Sequence, residues 1–111
     1  MKYNIRDKWL AISVYKNPVD KGQHNNVTGT TKWKVCGSKS IASKYVNSWV
    51  TERDSNGEFP LMNRVIQCKE IGTLIKDYGM FNGKDSQKVV KELRGIANEM
   101  ISMATELGVS F

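Results

Sequence analysis

The chain is poor in the residues on which most hydrolases and metalloproteins depend. Its 111 residues include one histidine, two cysteines and two prolines. The histidine, His24, lies in a Gln-His-Asn-Asn stretch. Nucleophilic catalysis needs a general base held beside the nucleophile. No G-x-S-x-G elbow accompanies any serine, and a lone imidazole in a polar loop is ordinarily a surface residue. Zinc needs closely spaced ligands that converge at about 2–2.3 Å. Cys36, Cys68 and His24 are all singletons. Both cysteines stand in apolar patterns, so they read as reduced, buried thiols.

Other absences narrow the reading further. No apolar run approaches the ~20 residues of a membrane span. The first residues lead into no apolar signal region, so a cytoplasmic location is expected. Phosphate-cradling G-x-x-x-x-G-K-[ST] and G-x-G-x-x-G patterns are missing. Asp54-Ser55-Asn56-Gly57-Glu58 has some calcium-loop residues but not the alternating oxygen ligands or the twelfth-position Glu, so a turn explains it better. Glu70 and Asp77 fall on a solvated helical face by pattern. The expectation is therefore no enzyme, no metal and no cofactor.

The most telling absence is of one sign of charge. Between Asp20 and Glu52 there is no acidic residue, yet Lys21, Lys32, Lys34, Lys39 and Lys44 fall there. Residues 1–56 hold ten basic and four acidic residues, while residues 57–111 hold seven of each. The entire formal charge of +6 thus belongs to the N-terminal half. Such asymmetry points to DNA or RNA, or to an acidic protein surface.

What is present is enough for a core: 40% hydrophobic residues, including three Trp, four Tyr and three Phe. Lys8–Lys16 reads as a strand with Leu10, Ile12 and Val14 on a core face, and Trp9, Ala11, Ser13 and Tyr15 on a mixed, half-exposed one. Asn17-Pro18 and the following glycine break it, and a polar loop of roughly a dozen residues follows. Thr30–Cys36 reads as a second, antiparallel strand, with Trp33 and Val35 opposite in facing to Lys32 and Lys34.

Ser38 or Ser40 caps an amphipathic helix whose stripe is Ile41, Ala42, Tyr45, Val46, Trp49 and Val50. Leu61–Tyr78 follows a helical stripe interrupted at Gly72, with a strand over Leu61–Cys68 as the alternative. Asp85 or Ser86 caps a long last helix that ends at Leu107, before Gly108. The prediction is one α+β domain over residues 1–111. It has a small N-terminal antiparallel sheet of two or more strands, then three helices, the last one long. Residues 1–56 form a basic strand-strand-helix half, and residues 57–111 a neutral helical half.

The functional expectation is a non-enzymatic nucleic-acid-binding protein. Lys32, Lys34, Lys39 and Lys44 would neutralise phosphates, and Trp9 or Trp33 would stack or wedge. Aromatics interleaved with lysines also occur in sheets that bind nothing, with the tryptophans in the core. The alternative is a small inhibitor or adaptor, of phage or mobile-element kind, that docks its basic face on an acidic protein or a nucleic-acid-processing complex. The Met100- and Met103-bearing stripe of the last helix allows a homodimer contact.

Overall fold

Alternation of apolar and polar residues is realised as two paired strands, β1 (Trp9–Val14) and β3 (Thr31–Cys36). The computed structural model describes residues 5–19 and 27–106, and its side-chain description omits residues 27, 28, 105 and 106. The pairing is antiparallel, as expected, and sets Trp9 against Cys36, Ala11 against Lys34 and Ser13 against Lys32. Directly opposed residues project to the same side of a sheet. One face therefore carries Trp9, Ala11, Ser13, Lys32, Lys34 and Cys36, and the other carries Leu10, Ile12, Val14 and Trp33.

A short strand, β2 (Val27–Thr28), folds onto β3 through Gly29 and Thr30. Gly29 has φ +59°, at the position where a type II′ hairpin turn requires a positive φ. Nothing in the polar run before Gly29 pointed to β2. A fourth strand, β4 (Met62–Gln67), adds to the outer edge of β1, giving the order β2-β3-β1-β4. The Leu61 N–H donates to the Val14 carbonyl at 2.7 Å, and Ser13 Oγ donates to Asn63 Oδ1 at 2.6 Å. Those two contacts run β4 antiparallel to β1.

The helical reading of Leu61–Tyr78 is thus corrected, and the strand alternative holds over its first part. Val65 and Ile66 are β-branched, and the β1 edge offers them a hydrogen-bonding partner, so tertiary pairing overrides the stripe. Helix α2 starts only at Ile71 and ends at Gly79. Gly72 is its second residue, where it interrupts nothing.

Helix α1 (Lys39–Trp49) follows β3. Ser38 is its N-cap, with Oγ accepting from the Ile41 N–H at 3.2 Å. The helix lies on the lysine-bearing face of the sheet. Ala42 and Trp49 pack there with Ala11 and Cys36, and Trp9, Tyr45, Val46 and Val65 close around them. This is the face of β1 expected to be half exposed. Ala11, Ser13 and Tyr15 are instead buried, because α1 covers them.

The chain divides into two compact units, one over Trp9–Ile66 and one joining residues 5–8 to 67–106. The first contains the sheet and α1. The second contains α2 and a long helix, α3 (Lys84–Glu106). Helix α3 starts at Lys84, ahead of the expected caps, so Asp85 lies inside the first turn, where the helix dipole favours a carboxylate. Its apolar stripe (Val89, Leu93, Ile96, Met100 and Ala104) is buried. The stop expected at Leu107–Gly108 lies outside the described residues. In the same unit a short turn at Ile5–Asp7 meets one at Cys68–Glu70, where the Cys68 N–H donates to the Lys8 carbonyl at 2.9 Å. The architecture is α+β, with a small antiparallel sheet and three helices, the last one long.

Candidate nucleic-acid interface

Burial divides the six residues singled out from the sequence. Lys32 is only 4% exposed. Its ammonium is ion-paired and hydrogen-bonded with the Glu52 carboxylate and lies 5.5 Å from the Tyr15 ring centre. Tyr15 is itself buried and donates its hydroxyl to the Trp49 carbonyl at 2.9 Å. Burial, with the negative charges of Glu52 and Asp54, pushes its phenol far above the ordinary range, so it stays a neutral donor. Lys32 is thus a structural cation under the end of α1. Trp33, 3% exposed, belongs to the opposite face of the sheet, and among the described residues no hydrogen-bond acceptor reaches its indole Nε1. Neither residue is accessible to a polyanion in this conformation.

The other four remain accessible, and aromatic rings organise them. Lys39 and Lys44 are exposed on α1, while Lys34 and Trp9 are half-buried on the sheet. Lys34 Nζ lies 5.2 Å from the Tyr45 ring centre, and Lys39 Nζ lies 5.7 Å from that of Trp9. Both rings pack on the same buried cluster, and Tyr45 also meets Trp49 in a tilted pair at 5.7 Å. Contacts of this kind contribute roughly 0.5–1 kcal/mol at exposed sites. Their larger effect is to hold two flexible lysines, Lys34 on the sheet and Lys39 on α1, each against a ring packed on that cluster.

Lys44 extends the patch. Together with Ile41, Tyr45 and Ser48 it lines a shallow cleft of about 460 Å³ on the outer flank of α1. Tyr45 is thus the residue that brings Lys34 and Lys44 to one place. Sequence reasoning assigned it to the apolar stripe of the helix and missed this role. The clue available was its place beside Lys44, four residues before Trp49. Lys39 and Lys44 are five residues apart, so helix geometry sets them on different flanks of α1. The patch wraps around the helix.

The patch offers ammonium groups, a hydroxyl at Ser48 and ring edges. It has no nucleophile paired with a base. Cys36 lies close by in sequence to Lys34, but burial raises its thiol pKa and outweighs the lowering effect of the Lys34 charge. A thiol kept protonated is a poor nucleophile. Its S–H points back to the Lys34 carbonyl at 3.7 Å.

No family model, curated protein or solved structure matches this chain.

The Asp54–Glu58 segment is a turn by its hydrogen bonding. Asp54 Oδ1 accepts the N–H groups of Asn56 and Glu58 at 2.9 and 3.0 Å, and Oδ2 accepts both donors of Asn17 at 3.1 Å. Gly57 completes the turn at φ +77°. Burial works to raise the Asp54 pKa, but these four donors outweigh it and hold the carboxyl below its ordinary value. The carboxylate is saturated by the chain itself, in keeping with a turn. Among the described residues no group of three or more candidate metal ligands exists.

Proposed function

We propose that the protein is a non-enzymatic nucleic-acid-binding protein, cytoplasmic in location, that contacts phosphates through Lys34, Lys39 and Lys44 around α1. The observation that carries this reading is that aromatic rings preposition two of these ammonium groups, Lys34 over Tyr45 and Lys39 over Trp9, and that Tyr45 also lines the cleft holding the third. Prepositioning lowers the side-chain entropy lost on binding. Because the lysines lie over Trp9 and Tyr45, those rings serve as supports for cations more than as platforms for bases. Backbone contact with little sequence preference is the mode this favours. Lys32 and Trp33, both buried, play no direct part in it.

Titration against random duplex DNA, single-stranded DNA and RNA at several salt concentrations tests the proposal. Binding should weaken steeply with salt. Replacing Lys34, Lys39 and Lys44 together by Gln should flatten the duplex slope by about 0.9 for each phosphate no longer neutralised. No binding at low salt, or an unchanged slope in the triple variant, would refute it.

One observation favours the second reading, docking on an acidic protein. Ile41 on α1 and Val50 at its C-terminal cap are exposed, and Ile41 lines the cleft with Lys44. An apolar side chain set among carboxylates would fit that cleft. A nuclease-resistant complex that the Lys44→Gln variant weakens would support this reading over the first.

A further inference from the structure

Residues 57–111 are neutral in sum, but along α3 the charges are segregated. Asp85, Glu92 and Glu99 recur every seven residues, which sets them in one row along the helix. Lys84, Lys88, Lys91 and Arg94 follow at steps of four, three and three, on a neighbouring row about 15 Å long. Net charge hid this separation.

The basic row meets an exposed aromatic. Between α2 and α3 the chain turns through Met80 and Phe81, whose side chains are 76% and 62% exposed. Phe81 lines an open cleft of about 400 Å³ with Asn82, Gln87, Val90, Lys91 and Arg94. Among the described residues no carboxylate engages Lys91 or Arg94. An uncovered phenyl ring costs free energy in water. Its setting, two amide side chains and two cations, matches the parts of a nucleotide. The ring offers a stacking surface, the amides can bond a base edge, and the cations can meet phosphates. A band of cations winding along one side of the helix also suits a linear polyanion.

We infer that the cleft between Phe81 and Arg94 is a binding site for single-stranded nucleic acid, with one base stacked on Phe81 and the adjoining phosphates on Lys91 and Arg94. The site lies in a different unit from the α1 patch. It shares the ligand class proposed above but depends on none of the same residues.

The test uses the full chain, a labelled oligo(dT) as probe, a duplex of equal length and poly-glutamate as competitors, and amide NMR shifts as the map. Oligo(dT) should shift the amides of residues 79–94. Phe81→Ala should weaken oligo(dT) about tenfold, and K91Q/R94Q should flatten the single-strand salt slope by about 1.4. Dispersed NMR spectra of both variants show that folding is retained, as expected for exposed positions. These effects should persist in the Lys34, Lys39 and Lys44 triple variant. If residues 79–94 do not shift, or if poly-glutamate displaces oligo(dT) there as well as the duplex does, the inference is overturned. Loss of all oligo(dT) binding in the triple variant alone also overturns it while leaving the α1 proposal standing. An inert triple variant with a sensitive Phe81→Ala does the reverse.

Discussion

At the scale of single residues, equal formal charges have unequal uses. Lys32 and Lys34 are two apart on one strand face, yet one is sealed against Glu52 and the other reaches out along Tyr45. Lys32→Ala should therefore destabilise the fold by about 1–3 kcal/mol in urea denaturation, since it strips a buried partner from Glu52. Affinity for nucleic acid, measured on the folded fraction, should not change. Asp54 gives a pH dependence whose sign is fixed. Its carboxyl titrates lower in the folded chain than in the unfolded one, so the unfolded state takes up protons first as pH falls. Its stabilisation is present in full above the ordinary carboxylate range and is lost as pH drops below about 4, through the lowered folded value. Urea midpoints followed from pH 6 to pH 2 should show this loss in the native chain. Asp54→Asn should lack that part of the slope and be less stable at pH 6, because an amide cannot replace an acceptor of four N–H groups.

At the scale of elements, α1 ties the candidate site to the fold. The same eleven-residue helix buries Trp49 and Ala42 on one side and carries Lys39 and Lys44 on others. Ser38→Ala removes its N-cap and should cost about 1 kcal/mol. Trp49→Ala empties the cluster beneath it and should cost about 3–5 kcal/mol. Thermal or urea unfolding measures both. Much of this element was legible in advance, because apolar residues at helical spacing and a capping serine are local features. β4 was less so. Its residues satisfy a helical stripe as well as a strand, and only the vacant edge of β1 decides between them. β2 is a two-residue strand, too short for any periodicity. The mixed face of β1 was misjudged for a related reason: alternation marks which residues share a face but not what is laid over it.

At the scale of the whole chain, what matters is how charge is distributed. The acid-free span gives the N-terminal half its +6, and the affinity of the chain for polyanions should fall with salt accordingly. A second basic row exists on α3, where counting charges over a half sums it to nothing. Among the described residues no helix is long and apolar enough to cross a membrane. From sequence alone came the α+β class, the antiparallel pairing of β1 with β3, the capped α1, the long last helix and the excess of lysine in one half. Those follow from patterns between near neighbours and from composition, which no folding can alter. The tertiary structure alone decided that Lys32 is buried and Lys34 is not, that Trp33 is core while Trp9 is half open, and that Phe81 stands beside Lys91 and Arg94. Burial and proximity between distant residues depend on which surfaces pack together. A linear order of side chains does not contain that information until the sheet is registered and the helices are laid against their partners.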